Sequence, residues 1–157
     1  MHASKTEVNQ PPGTNVPGSG VVKFNPPGVA RPLGRYSHLS FVSATNLVAV
    51  AGQVAVDPDG NFVGLGDVRQ QALQAYRNVS AVLEAADLSL HNVWKLNAYV
   101  VGNDAIEPFM EARTEFYSSV FPDERDYPPI TLIAVTRLAF PELLVEIEAL
   151  AVRPDER

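Results

Sequence analysis

Two glutamates, Glu146 and Glu148, are the residues of this chain whose type and spacing point most directly to chemistry. They alternate with apolar residues in a run that is typical of a β-strand, so we expect both side chains on one face of a sheet. A carboxyl group can take up or release a proton as a general base or acid. Taken alone, the pair has a second interpretation, because both carboxylates could be solvated or satisfied at a subunit interface.

Other side chains that could react or bind a metal are scarce. The chain contains no cysteine, which excludes disulfides, thiolate nucleophiles and metals bound through sulfur. Its three histidines, His2, His38 and His91, lie far apart, and none has a partner histidine at the four-residue spacing of metal ligands on a helix. We therefore predict no metal site, and we interpret His38 and His91 as surface or hydrogen-bonded side chains.

The composition limits the class of protein and the partners it can have. Of the 157 residues, 46% are hydrophobic, which is ordinary for one folded domain. No apolar run approaches the roughly 18 residues that span a bilayer, and the N-terminus lacks a basic segment followed by an apolar one. A formal net charge of -6 repels phosphate backbones. We therefore predict a cytoplasmic protein that binds neither membranes nor nucleic acid.

The N-terminal part of the chain differs in composition from the rest. Six of the 13 prolines fall within the first 32 residues, beside a stretch over 13–20 that contains Gly and Ser. Such a segment offers few periodic apolar residues to offset the entropy that is lost on ordering. We predict a flexible extension over residues 1–22 and one folded domain over residues 23–153.

Apolar periodicity in the folded part predicts six strands and two helices in the order βββαβαββ. The first helix is expected to begin at a capping box formed by Asp67 and Gln70. The second helix is expected to begin at the same spacing, with Asp104 and Glu107. Both helices then present an apolar stripe at spacings of three and four residues, which predicts that they pack on a sheet.

The strands carry apolar residues on both faces. In the strand over 93–101, Trp94 is expected on the same face as Leu96, and Val93 on the opposite face. Two closing strands are expected over about 130–137 and 143–152. Two helices can cover one face of a mixed six-stranded sheet, so the other face needs another partner. We therefore predict an α+β domain that buries its second sheet face by self-association.

Several short stretches together resemble the reactive intermediate deaminase (RidA) family over about residues 24–151. They are Phe24-Asn25-Pro26, Pro32-Leu33-Gly34-Arg35-Tyr36-Ser37, Ala51-Gly52-Gln53, the turn Asp57-Pro58-Asp59-Gly60, Asn78 with Leu83-Glu84-Ala85-Ala86, Val93-Trp94-Lys95-Leu96, and Val145-Glu146-Ile147-Glu148-Ala149. The resemblance implies the chorismate-mutase-like fold and a homotrimer whose sheets form a central barrel. It also implies three clefts between neighbouring subunits, where a small molecule binds.

The resemblance also implies a reaction and an anchor for its substrate. Active members of the family hydrolyse enamines and imines to a keto acid and ammonia, and they need no cofactor. An arginine in a Pro-Ala-Arg-Ser-like segment binds both oxygens of the substrate carboxylate. Counting back without a gap from Arg137 and Leu138, which match a later Arg-Leu of the family, places Ile130 at the arginine position. We therefore expect little activity on 2-imino acids.

Other site residues are assigned by the same resemblance. Glu146 is the predicted catalytic residue, because its family counterpart lies near the attacking water, whereas Glu148 is interpreted as structural. Thr114 stands where an asparagine is common, which keeps a hydroxyl but loses an amide. The predicted substrate-binding residues are Tyr36, Gly52, Thr114, Ile130 and Thr131.

Three functions stay open on this basis, and whether the chain is an enzyme is left undecided. The leading interpretation is a RidA-like trimer that binds a small metabolite between its subunits, with or without hydrolysis of a carbon-nitrogen bond. The first alternative is an active imine deaminase with a relocated anchor such as Arg35, which replaces a family proline beside Tyr36. The second is a non-catalytic ligand-binding or interaction protein. The net charge disfavours an endoribonuclease activity, which has also been attributed to the family.

Overall fold

The computed structural model describes residues 21–42 and 45–154, so most of the predicted N-terminal extension lies outside the described residues. The main elements are β1 (Val21–Phe24), β2 (Leu39–Val42), β3 (Leu47–Val54), α1 (Val68–Glu84), β4 (Val93–Val101), α2 (Ile106–Val120), β5 (Ile130–Val135) and β6 (Val145–Val152). Their order is the βββαβαββ that the sequence predicts.

All six strands form one mixed sheet in the order β1-β2-β3-β6-β4-β5. Neighbouring strands are antiparallel except β4 and β5, which are parallel and are joined through α2. A crossover of this kind is needed because parallel neighbours cannot be joined by a tight turn. Both helices share one hydrophobic core with the sheet. The predicted α+β fold is therefore confirmed.

α1 begins at Asp67, as predicted. The Asp67 carboxylate accepts a hydrogen bond from the backbone N–H of Gln70 at 2.9 Å, which satisfies one free donor of the first helical turn. The Gln70 side chain donates to the same carboxylate at 2.7 Å. Further along, Asn78 Nδ2 donates to the carbonyls of Val54 and Val56, both at 2.8 Å. α1 is thereby bonded directly to the chain that leaves β3.

α2 does not begin at the predicted capping box. A turn of 3-10 helix over Asn103–Ala105 comes first, and Ala105 is the N-cap residue, without a capping side chain. Gly102 has φ +82°, a value that glycine adopts without strain, and its carbonyl accepts from Ala105 N–H at 3.3 Å. Asp104 and Glu107 therefore do not cap this helix, because the backbone itself enters through the tighter turn.

β4 contains an irregularity that the alternation of its sequence does not reveal. Val93 pairs with Ala151 and Lys95 with Leu150, so Trp94 is an extra residue between two consecutive pairs. Val93 is consequently buried, whereas the Trp94 side chain is 48% exposed. The expectation that Trp94 shares a face with Leu96 is therefore wrong at this position.

The two closing strands are shorter than predicted. β5 ends at Val135, after which Arg137 donates from its guanidinium to the carbonyl of Leu138 at 3.2 Å. β6 begins at Val145, because the preceding Leu143 N–H bonds within the connection, to the carbonyl of Phe140 at 3.2 Å. At the β6 end the connection uses two leucines, Leu143 and Leu144, which are apolar enough to resemble strand.

The face of the sheet opposite the helices has no covering layer within the described part of the chain. Leu47, Ile133 and Val152 are 50%, 44% and 37% exposed on this outward face. Their neighbours along each strand, such as Val48 and Ala151, are buried on the helix side. An apolar surface of this kind is typical of an interface with another protein surface.

Candidate functional site

Glu146 and Gly52 lie against each other where β6 pairs with β3. Glu146 is in register with Val54, and the pairing is irregular between Val50 and Gln53, the stretch that contains Gly52. A Cβ atom added at Gly52 would lie 2.6 Å from Cδ of Glu146 and 2.8 Å from its Cγ. Because real side chains do not approach so closely, glycine at this position leaves room for the glutamate. Two of the residues predicted from the sequence are therefore in direct contact.

The carboxyl group of Glu146 is half-buried on the outward face. Burial raises its pKa above the ordinary value, and the negative charge of Glu148 raises it further. In the described part of the chain no cation forms an ion pair with Glu146. A carboxyl group with a raised pKa keeps its proton to a higher pH than an ordinary glutamate, which suits a group that accepts a proton and then donates it.

Glu148 has a different environment from Glu146, although only one residue separates them. Its Oε2 accepts hydrogen bonds from the hydroxyl of Tyr99 at 3.1 Å and from Nδ2 of Asn97 at 3.3 Å, both on neighbouring β4. Burial, followed by the charge of Glu148, raises the pKa of Tyr99, so the tyrosine stays protonated as a donor. The two carboxylates therefore differ in their partners. Glu148 accepts hydrogen bonds from two side chains of β4, whereas Glu146 has no such bond among the described residues and can interact with a substrate or water.

Tyr36 lies above a buried histidine in the loop between β1 and β2. Its ring meets that of His38 edge-on, with centroids 6.1 Å apart, and its hydroxyl oxygen accepts from Leu33 N–H at 3.2 Å. His38 Nε2 contacts the carbonyl of Ala30 at 2.7 Å, and Nδ1 contacts Gln53 Nε2 at 3.1 Å. Since an amide nitrogen can only donate, Nδ1 accepts and Nε2 carries the proton. His38 is therefore a buried side chain in which both ring nitrogens have hydrogen-bond partners.

The Tyr36 loop is connected to the contact between Gly52 and Glu146 through the backbone. Ala51 N–H donates to the carbonyl of His38 at 2.7 Å, and Gln53 Nε2 donates to the carbonyl of Ala51 at 3.1 Å. Sequence reasoning did not identify Gln53 as a positioning residue. The available signal was a glutamine inside an otherwise apolar strand, because a buried amide needs several hydrogen-bond partners.

Ile130 and Thr131 open β5 and point to opposite faces of the sheet. Ile130 is in register with Leu96 and packs against the hydrophobic core on the helix side. Thr131 is exposed on the outward face, where Lys95 Nζ donates to its hydroxyl oxygen. Because Glu146 is on the outward face, its side chain and that of Ile130 leave the sheet in opposite directions. Within a single chain these two residues do not form one pocket.

Thr114 lies on the exposed surface of α2. Its hydroxyl donates to the carbonyl of Met110 one turn earlier, at 2.9 Å, as is common for threonine within a helix. Its hydroxyl hydrogen is thus already used inside the helix. The structure does not bring this residue to the contact between Gly52 and Glu146.

Two clefts lie on either side of Tyr36. The first has a volume of about 570 Å³ and contains Arg35, the candidate for a relocated anchor, together with Lys23. The second has a volume of about 600 Å³ and contains Arg31. Among the described residues that line these clefts, Glu146 does not occur. In one copy of the chain, Tyr36 therefore lines both clefts, whereas Glu146 lies outside them on the uncovered face of the sheet.

The described residues contain neither a group of side chains suited to a metal ion nor a helix suited to a membrane. No three His, Asp or Glu side chains among them come close enough to bind a metal ion together. No helix in residues 21–42 and 45–154 is both long and apolar enough to cross a bilayer.

Comparisons with known proteins give consistent matches over the folded part of the chain. The model of the endoribonuclease L-PSP family matches residues 28–153. A RutC family protein of Pyrococcus horikoshii is 31% identical over 121 residues, which cover 77% of this chain and 89% of that protein. The 2-iminobutanoate/2-iminopropanoate deaminase of Homo sapiens is 27% identical over 121 residues, covering 77% and 82%. The crystal structure of E. coli TdcF with bound serine has a TM-score of 0.70 at 26% identity, covering 81% of this chain and 94% of that chain.

Proposed function

Because the chain belongs to the endoribonuclease L-PSP family, which includes the RidA proteins, we propose that it binds a small metabolite in clefts between the subunits of a homotrimer. There it hydrolyses a carbon-nitrogen double bond, with Glu146 as acid and base. The observation that carries the proposal is the half-buried Glu146, packed on Gly52, with a raised pKa. The human relative, an imine deaminase by name, supports the reaction class.

The chemistry requires one carboxyl group that changes protonation state. Glu146 accepts a proton from water as the water oxygen bonds to the imine carbon, and it returns this proton to the nitrogen, which gives a tetrahedral carbinolamine. The carboxylate then takes the proton of the carbinolamine hydroxyl and passes it to the nitrogen, so that the carbon-nitrogen bond breaks and ammonia leaves as the carbonyl forms. Proton transfer of this kind by a positioned side chain typically contributes about 10²–10⁴-fold to the rate. No redox step or cofactor takes part.

A cleft between subunits explains why the predicted site residues are separated in one chain. Ile130 lies on the helix side of edge strand β5, whereas Glu146 lies on the outward face of central strand β6. A pocket that uses both positions needs residues from two copies of the chain. The uncovered outward face supplies the surface on which such copies can meet.

Isoleucine at position 130 makes 2-imino acids poor substrates in this proposal. The side chain cannot donate a hydrogen bond to a carboxylate, so the charge would lose its water without compensation. Removing one partner of a buried charge pair costs about 2–5 kcal/mol, or roughly 30-fold to several-thousand-fold in affinity or rate. The preferred substrate therefore has no carboxylate at that position, or it binds its acid group elsewhere.

The test is the hydrolysis of a 2-imino acid that an amino-acid oxidase generates in the assay. We expect little activity from the wild type and an increase of about tenfold or more for Ile130→Arg, because a guanidinium can bind both carboxylate oxygens. Ile130→Met is the matched control, since it is long and flexible but uncharged. Glu146→Gln in the Ile130→Arg background should abolish the gain.

Two results would replace this proposal by another function. Efficient hydrolysis by the wild type that is lost in Arg35→Ala would establish a relocated anchor, which is the second candidate because Arg35 lines a cleft with Tyr36. If wild type and Ile130→Arg are both inactive while both remain trimeric, the result favours the alternative of a non-catalytic ligand-binding or interaction protein.

A further inference from the structure

The positive charges around Tyr36 lie in an unusually long stretch without acidic residues. The chain contains 18 Asp and Glu residues and has a net charge of -6, yet none of the acids lies between Glu7 and Asp57. The charged residues in this stretch are Lys23, Arg31 and Arg35. A chain that repels anions on average therefore has one local segment that attracts them.

Two of these cations line the same cleft. Lys23 on β1 is in register with Ser40 on β2, and both are on the outward face, because Phe24 and Leu39 beside them are buried on the other side. Arg35 enters the cleft from the loop above these strands. The lining of this cleft of about 570 Å³ therefore includes one lysine from β1 and one arginine from the loop.

Hydroxyl groups complete the lining of this cleft. Ser37, Ser40 and Tyr36 contribute to it. The Tyr36 hydroxyl oxygen accepts from Leu33 N–H, which leaves its own hydrogen available to donate. Within residues 21–42 and 45–154, the ion pairs involve neither Lys23 nor Arg35. The cleft thus presents two positive charges and up to three hydroxyl donors, with no carboxylate in its lining.

We propose that this cleft binds the phosphate-type dianion of a small-molecule ligand. Lysine acts on an oxyanion as a compact point charge, and arginine offers a planar fork that can bind two of its oxygens. Two cations with hydroxyl donors match two negative charges and three terminal oxygens better than they match a single carboxylate. The inference rests on the proposed function in one respect, namely that the ligand is a small metabolite.

The experiment measures binding of inorganic phosphate to the full chain by titration calorimetry at pH 7.5, with acetate at matched ionic strength as the monoanion. We expect saturable phosphate binding that is at least tenfold tighter than acetate binding. Lys23→Gln and Arg35→Gln should each weaken phosphate binding about tenfold, as expected for the loss of one charged hydrogen bond. Arg77→Gln, an exposed arginine of α1 on the other side of the sheet, should leave it unchanged.

Three outcomes would overturn the inference: phosphate that does not saturate, acetate that binds as tightly, or Arg77→Gln that weakens binding as much as Arg35→Gln. The last would indicate an effect of overall charge and not of this cleft. Hydrolysis of imino acids is measured in a separate assay, so the two proposals can fail independently. Phosphate binding without hydrolysis would support the dianion site and contradict only the proposed reaction. Hydrolysis without phosphate binding would contradict only the dianion site.

Discussion

At the scale of single residues, Glu146 occupies its position because Gly52 has no side chain. The glutamate side chain fills the space that a Cβ atom at residue 52 would need, so the two residues are one packing unit across β3 and β6. The same packing removes part of the carboxyl group from water, and burial is the main cause of its raised pKa. Glycine at position 52 therefore leaves the space that the proposed acid and base occupies.

Gly52→Ala should lower the free energy of unfolding by about 1–3 kcal/mol, because a methyl group added at a filled position forces its neighbours to move. In the Glu146→Ala background the same substitution should cost much less, since Cγ, Cδ and the carboxylate oxygens are gone. Urea unfolding of the four proteins of this cycle measures the coupling.

The control for this cycle is the Glu148→Ala background. Glu148 is not among the nearest neighbours of a Cβ atom at Gly52, so Gly52→Ala should keep its full cost there. An equal cost in all three backgrounds would show that the glycine is required for a backbone reason, and the packing unit would have to be abandoned.

At the scale of elements, α1 determines where β6 begins. Gln71 is completely buried, and its Nε2 donates to the carbonyls of Gly64 at 3.1 Å and Glu142 at 2.8 Å. Its Oε1 accepts from Leu144 N–H at 2.7 Å, directly before β6. One side chain of the helix thus bonds two loops that are far apart in the chain, and β6 carries Glu146 as its second residue.

Gln71→Met should lower the free energy of unfolding by about 3 kcal/mol or more. Methionine has a similar shape, but it leaves two carbonyls and one N–H beside the buried end of the side chain without their partner, at about 1–3 kcal/mol for each group that water does not reach. Gln70→Met, at the exposed neighbouring position with its bonds to Asp67, should cost less than about 1 kcal/mol. Thermal and urea unfolding measure both variants, and similar losses would contradict the proposed link between α1 and β6.

At the scale of the whole molecule, the sheet has two apolar faces but only one layer of helices. The helix side contains the core, and the outward side exposes Leu47, Ile133 and Val152 and also carries Glu146. A surface of this kind is stable in water when a copy of the chain covers it, and symmetric assembly covers it repeatedly. This supports the proposed trimer and explains why the proposed site is open in one copy.

Ile133→Glu should therefore convert a trimer into monomers while leaving the fold of each chain intact. Sedimentation should give the wild type three times the 17.0 kDa chain mass, and the variant a mass close to one chain. Leu65→Glu is the matched control, because Leu65 is 66% exposed in a loop and its substitution should not change the mass. A wild-type protein that is folded and monomeric at micromolar concentration would contradict both the assembly and the intersubunit site.

Part of the fold could be predicted because local patterns report burial. The apolar stripe of α1 and its N-cap at Asp67 depend on residues that are close together in the sequence, and the structure has both. The start of α2 and the position of Trp94 could not be predicted in the same way. A bulge depends on the partner strand, here Leu150 and Ala151 of β6, which lies more than fifty residues away.

The sequence by itself determined the order of elements, the family, the lack of cysteine chemistry and the choice of Glu146 and Ile130 as the informative positions. Only the tertiary structure decided that Glu148 is bound by Tyr99 while Glu146 rests on Gly52, and that Ile130 faces the core. The reason is that hydrogen bonds, burial and pKa values depend on distances of a few ångströms between residues that are far apart in the chain. Composition and periodicity report which residues prefer burial, but they do not specify these distances.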